Sequence, residues 1–333
     1  MKNQSLTTHG AGRRGVLAFS AAASLLAAVP RGFAQDVYPS RPVKIIVTLA
    51  PGGGVDLFGR LLGTQLTNQM GQPFFVENKA GGGTNIGAGF VAKSAPDGYT
   101  LLLSSSTTYA LNASLYKNLG YDPARDFALI ALGARFALLL VANAQVPVTT
   151  VKDLVALAKT RSLDYASPGN GSPHQLAMEL FKMRTGIEAT HIPFKGAGPA
   201  VQEVIAGRIP FMFLDYATAA PFIKSGHLKA IASAGEQRLP MLPAVPTIAE
   251  SGFAGFETSA WLGLAAPAGT PEPIVRRLNA EVTKMLANPD FRRKLFDLGI
   301  TPFESTPESF AAFARSETVK WAEVIRRAHI TVD

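Results

Sequence analysis

Ser172 and His174 stand two residues apart at the end of a Gly/Ser loop, Ser167-Pro-Gly-Asn-Gly-Ser172. A hydroxyl beside an imidazole is the raw material of a serine nucleophile. That chemistry needs the base across from the hydroxyl, with a third group orienting it. Here both residues fall at one helix start, so an exported serine hydrolase is the weaker reading. His174 in a first helical turn suits a donor to a bound anion, or a plain helix-start histidine. His191, His227 and His329 lack the spacing of a zinc site. The chain has no cysteine, which removes disulfides, thiolate metal sites and cysteine nucleophiles. Phosphate-loop, dinucleotide-binding and nucleophile-elbow motifs are missing from the sequence. No cofactor and no enzymatic activity are expected.

What the chain does offer is a repeated loop. Five times a short apolar run leads into Gly, Ser and Thr residues that open a helical pattern. The loops are 51–54, 81–85, 104–108, 167–172 and 196–199. In a parallel sheet such loops gather at the C-terminal strand ends, the ligand-binding edge. Glycine lets backbone N–H groups approach a ligand, and helix N-termini carry unpaired donors at a positive dipole end. Several together make an anion site that needs no Lys or Arg. The candidate ligand residues are Gly52, Gly53 and Gly54, then Ser105 and Thr107, then Ser167, Gly171, Ser172 and His174, and Gly196. Asp56 and Asp215 join them. Asp56 reads in preference as a helix-start charge that ties down the glycine loop. Asp215, ending the apolar run 211–214, suits an orienter of water or of a ligand amine. Trp261 reads as core in preference to cleft wall.

These residues need a scaffold, and the hydrophobic periods supply one. Strands are predicted at 43–49, 73–77, 99–103, 163–167, 189–192, 210–214 and 228–233, with a long β run at 128–141. Helices are predicted at 55–70, 85–93, 151–160, 174–185, 198–206 and 217–225. Thr149 or Thr150 is placed to cap the third of these. Residues 104–108 read as a polar loop. Helices then dominate at 272–287, 289–298 and 307–328. This βαβα order predicts an α/β fold of mostly parallel sheets flanked by helices.

The N-terminal stretch follows another rule. Lys2, Arg13 and Arg14 precede an apolar run at 16–29, and no acidic residue occurs before Asp36. A span needs roughly 20 apolar residues, so this run is too short for one. Residues 1–34 read as a signal peptide cleaved near Ala34. Arg13-Arg14-Gly15-Val16-Leu17 resembles a twin-arginine signal, although Gly12 stands where Ser or Thr is usual. The net charge of +8 shrinks once Lys2, Arg13, Arg14 and Arg31 leave, because 28 basic then face 24 acidic residues. The paired arginines near the C-terminus read as solvated helix faces, and nucleic acid is not an expected partner. The mature chain is expected to be soluble, periplasmic and monomeric.

The order of its motifs resembles one family. Tyr38-Pro-Ser-Arg-Pro-Val-Lys44 and Ala50-Pro-Gly-Gly-Gly-Val-Asp56 with Arg60 come first, followed by Val76-Glu-Asn-Lys-Ala-Gly-Gly-Gly83 and Ala95-Pro-Asp-Gly-Tyr-Thr-Leu101. Tyr165-Ala-Ser-Pro-Gly-Asn-Gly-Ser172 with His174, and Ile192-Pro-Phe-Lys-Gly196, continue the series. Leu242-Pro-Ala-Val-Pro-Thr247, Trp261-Leu-Gly263 and Ala266-Pro-Ala-Gly-Thr-Pro271 complete it. Over residues 38–330 the chain resembles the substrate-binding proteins of tripartite tricarboxylate transporters, the Bug (TctC-like) group of extracytoplasmic solute receptors. The resemblance implies a two-lobed, Venus-flytrap (periplasmic-binding-protein) fold. Residues 36–136 and 258–333 would form lobe one and 137–257 lobe two, with crossings at 128–141 and 256–264. It implies a carboxylate ligand held by loop amides, hydroxyls and water, and a membrane permease as partner; a sensory receptor would use the same cleft. Val55 departs from the hydroxyl residue common after the glycines, and Ala80 from a frequent Pro.

Overall fold

A computed structural model describes residues 1, 4–5, 38–52 and 54–332. Most of the expected signal peptide, and Gly53, lie outside the described residues. Residues 1–40 form one unit and 41–333 another. In the first, the described residues carry no helix or strand, and the Tyr38–Pro39 bond is cis. Everything below concerns the second.

Its first half runs β1 (Val43–Val47), α1 (Gly54–Met70), β2 (Phe74–Asn78), α2 (Asn85–Ala92), β3 (Thr100–Ser105), α3 (Asn112–Leu115) and β4 (Phe127–Asn143). Then come α4 (Val151–Ala158), β5 (Leu163–Ser167), α5 (Pro173–Thr185), β6 (Ala189–Pro193), α6 (Ala197–Ile205), β7 (Phe211–Asp215), α7 (Tyr216–Lys224) and β8 (Leu228–Ser233). The chain closes with β9 (Ser259–Pro267), α8 (Glu272–Ala287), α9 (Pro289–Asp297), β10 (Ile300–Pro302) and α10 (Pro307–Arg327). Local chemistry sets the helix starts. Thr150 caps α4 in a reciprocal box with Asp153. Ser172 caps α5, with Pro173 in its first turn. Each such cap is worth about 1 kcal/mol.

The strands follow the order β2-β1-β3-β9-β4-β7-β5-β6, with β8 and β10 also on β4. The outer pairings, β1 with β2 and β3 and β5 with β6 and β7, are parallel. All pairings of β4, and that of β3 with β9, are antiparallel. The sheets are therefore mixed, less parallel than the helix–strand alternation predicts. The physical reason is β4, a 17-residue strand that serves two sheets. Its residues up to Ala137 pair with β9 and β10, and from Leu138 onward with β7 and β8.

Two further expectations change. Residues 104–108 are not simply a loop: β3 continues to Ser105, and a π-turn (Thr107–Leu111) follows. Its polar start hides a buried apolar face of Tyr109, Ala110 and Leu111. β10 carried no periodic signal in its three residues. One core lies between the first sheet, the π-turn and α10, around Tyr109, Trp261 and Phe310. Two more cover the two faces of the second sheet, one around Phe181 and Phe213, the other around Val204 and Met212. Trp261 is fully buried, as core and not cleft wall.

Candidate functional site

A cavity of about 400 Å³ opens where these strands end. Strand register builds its floor. Ser105 at the end of β3 lies beside Leu262 of β9, and Leu262 lies beside Ala134 of β4. Two residues along each strand, on the same face, Ala260 pairs with Phe136. Asp215, ending β7, pairs with Leu138. Loops close the sides: Gly54 opens α1, Gly83 and Thr84 precede α2, and residues 168–172 precede α5. Phe136 lies over the start of α1, where a Cβ on Gly54 would come within 3.1 Å of its ring.

Seven predicted residues line this cavity: Gly54, Ser105, Thr107, Gly171, Ser172, His174 and Asp215. Four of the five loops meet there. Among the described residues Gly52, Asp56, Ser167 and Gly196 do not line it. Asp56 is buried and ties the glycine loop instead. It accepts from the Gly52 N–H at 3.0 Å, from Arg60 at 3.0 Å and from Asn78 at 2.9 Å. Burial raises its carboxyl pKa, but these donors outweigh burial and hold it below its ordinary value. Gly196 donates its N–H to the Pro168 carbonyl, bracing the α5 loop from behind.

Ser167 forms a Ser–His pair that the sequence did not suggest, since its partner lies on another strand. Its Oγ is 2.6 Å from His191 Nε2. The third member is Gln175, whose Oε1 accepts from the Gly171 N–H, so that its amide NH₂ faces His191 Nδ1 at 3.0 Å. Nδ1 is then the acceptor and Nε2 carries the proton toward Ser167. This tautomer cannot take a proton from the serine. Burial, and then the Lys182 charge, depress the imidazole to about 4. Ser167 is fully buried. The triad braces the loop. The sign of its pH effect follows from the depressed value. The unfolded histidine takes up its proton near 6.5 and the folded one near 4. Stability is therefore complete above about pH 6.5 and falls as pH drops toward 4. His191→Gln is expected to flatten that part of the curve of urea midpoint against pH.

A row of buried hydroxyls leads to the cavity at Thr84. Thr48 Oγ1 meets Ser104 Oγ at 2.6 Å, and Ser104 Oγ meets Thr108 Oγ1 at 2.5 Å. Thr108 donates to Thr84 Oγ1 at 2.7 Å, and Asn112 Nδ2 reaches the same oxygen at 3.3 Å. Thr84, at the end of this row, lines the cavity. Since Thr108 donates onward, Ser104 must donate to Thr108 and Thr48 to Ser104, which polarises the whole row toward the site. Thr84 holds this position at φ 81°, a conformation unfavourable for a β-branched residue. Thr108→Val keeps the shape and cuts the row. It is expected to weaken ligand binding about five-fold, for one lost hydrogen bond of about 1 kcal/mol. Calorimetry against Thr108→Ser, which restores the hydroxyl, checks this.

His174 has no hydrogen-bond partner for either ring nitrogen among the described residues, and Nε2 stands 3.5 Å from Asp215 Oδ1. Burial raises the Asp215 pKa, but His174 and the Thr218 hydroxyl, at 2.7 Å, outweigh it and keep the carboxyl below its ordinary value. Ser172 accepts from the Gln175 N–H and makes no bond to His174. No lysine or arginine is among the described residues lining the cavity. Sequence reasoning missed Asn112, Tyr116, Phe136 and Leu262 as lining residues. Gly83 and Thr84 sat in a loop that it named without choosing them. No described group of three His, Asp or Glu could hold a metal ion.

Mixed sheets flanked by helices, with a cleft at the strand ends, define the periplasmic-binding-protein fold. A sequence model of the tripartite tricarboxylate transporter family receptor, TctC, matches residues 58–330. The chain belongs to this family of solute receptors. It is 37% identical to protein BugT of Bordetella pertussis over 294 residues, 87% of this chain and 90% of that one. It is 36% identical to a protein from the tcbD-tcbE intergenic region of Pseudomonas sp. strain P51, across 94% of each. Among solved structures it is similar to R. palustris Rpa4515 with adipate, with a TM-score of 0.81 and 34% identity over 89% of this chain and 100% of that one. MatC of Rhodopseudomonas palustris, with bound malate, gives 0.74 and 34% over 86% and 100%. The periplasmic binding protein BugD gives 0.76 and 33% over 89% and 100%.

Proposed function

We propose that this receptor captures a small carboxylate outside the cytoplasmic membrane and hands it to an integral-membrane permease. The observation that carries the reading is the convergence of four Gly/Ser/Thr loops on one cavity. Hydroxyl and amide donors face it, and lysine and arginine are missing from its described lining. Neutral donors at helix starts hold an anion without a counter-ion. The carboxylates bound by the solved relatives point the same way. Gly54, Ser105, Thr107, Gly171, Ser172, His174 and Asp215 are the contacts, with Thr84 added. Asp56, Ser167 and Gly196 position the loops that carry them.

Residues 36–136 with 258–333, and 137–257, act as two lobes in this reading. They close on the ligand about β4 and the segment leading into β9. Residues 1–34 serve as the export signal, cleaved near Ala34, and the mature protein works as a monomer without catalytic activity. No described helix is long and apolar enough to cross a membrane. Calorimetry of the purified protein against a carboxylate panel tests the central claim. Micromolar binding of at least one carboxylate is expected. A neutral compound that binds tightly while every carboxylate fails would overturn it.

A further inference from the structure

The cavity carries polar groups at two places, the β3 end and the start of α5, with an apolar strip beside them. Thr84, Ser105 and Thr107 gather at the β3 end with their hydroxyls. From Ser105 the floor turns apolar, through Leu262 and Ala260 to the ring of Phe136. That ring lies against Gly54 at the start of α1, and beside it Leu49 and Val55 continue the wall. These residues come from β1's exit, α1, β4 and β9, so the strip is built by tertiary register and not by one run of sequence. At Val55 the first turn of α1 presents a methyl surface where a hydroxyl side chain of the same shape would fit.

An apolar strip inside a binding cavity gains free energy only when a ligand covers it with apolar surface. Each ionised group on a ligand must in turn be desolvated and repaired by hydrogen bonds. With no lysine or arginine among the described lining residues, every extra carboxylate depends on hydroxyls, amides and His174. The β3 end supplies those donors for one carboxylate. The start of α5 adds Ser172 and His174, but beside the Asp215 carboxylate, whose charge opposes a second ligand carboxylate there.

We propose that the preferred ligand is a monocarboxylate with an aryl or branched alkyl body. Its carboxylate faces Thr84, Ser105 and Thr107, and its body lies on Val55, Phe136 and Leu262. This rests on the carboxylate-receptor reading above and narrows it. Short di- and tricarboxylates are the class it excludes as best ligands.

Calorimetry with phenylacetate, 4-methylbenzoate, succinate, malate and citrate on the native protein decides the matter. One of the two aryl acids is expected to bind at least ten-fold tighter than any of the three polyacids. Phe136→Ser is expected to lower aryl-acid affinity at least ten-fold while moving succinate less than three-fold. Val55→Thr, nearly identical in shape, is expected to narrow the gap between the classes, with a thermal melt confirming that it folds. Equal or tighter binding of a polyacid overturns this proposal and leaves the carboxylate reading standing. If no acid binds, and a neutral compound does, both fall together.

Discussion

Ser172→Trp is expected to abolish ligand binding, by at least a hundred-fold in affinity, while the protein still folds. Ser172 stands at the cavity wall on the loop before α5. An indole there would occupy much of a space of about 400 Å³. The folding cost is modest, because what the serine gives the scaffold is its cap. Its Oγ accepts from the Gln175 N–H at 3.3 Å. Losing that cap costs about 1 kcal/mol, well inside the 5–15 kcal/mol margin typical of native domains. Ser172→Ala separates the two effects, since it loses the cap and leaves the cavity open. Calorimetry with a bound carboxylate reads the affinity, and a urea midpoint reads the fold. Unchanged affinity in the tryptophan variant would remove residues 168–172 from the site.

Trp261→Ala should act in the opposite way, on the fold first. Trp261 is fully buried and stacks on Tyr109 at 5.9 Å, with Phe310 and Phe313 edge-on. Its indole N–H donates to Glu317 Oε2 at 3.2 Å, and Trp321 donates to the same oxygen at 2.9 Å. One carboxylate therefore pins both tryptophans of the chain. Truncation leaves a large void and takes a donor from a buried acid. A loss of about 3–5 kcal/mol is expected, visible as a large drop in urea midpoint. The indole lies outside the described lining of the cavity, so residual folded protein should keep its ligand affinity within about three-fold.

The contrast between these residues shows what a sequence carries. Ser172 and Gly171 were legible because capping and tight turns are local rules, satisfied within four residues. Asp56 and Ser167 obey the same local chemistry, yet turn it inward to brace loops. A hydroxyl or carboxylate at a helix start looks alike whether it serves a ligand or its own backbone. Phe136 and Leu262 were illegible for another reason. They reach the cavity through the register of β3, β9 and β4, which joins residues more than a hundred positions apart. The alternation of strands and helices predicted the outer parallel pairs correctly. It could not predict the antiparallel centre, because a long apolar run says that a strand is buried and not which neighbours it takes.

That central strand also bears on how the protein comes apart. β4 gives its first residues to one sheet and its last to the other. Melting either sheet strips hydrogen bonds from a backbone that the other still needs, so the two halves are thermodynamically coupled. Both tryptophans sit in the first core, around α10, whereas circular dichroism sees every helix. Fluorescence and dichroism should therefore trace one superimposable urea transition. The strand that joins the two sheets would make them lose their structure together.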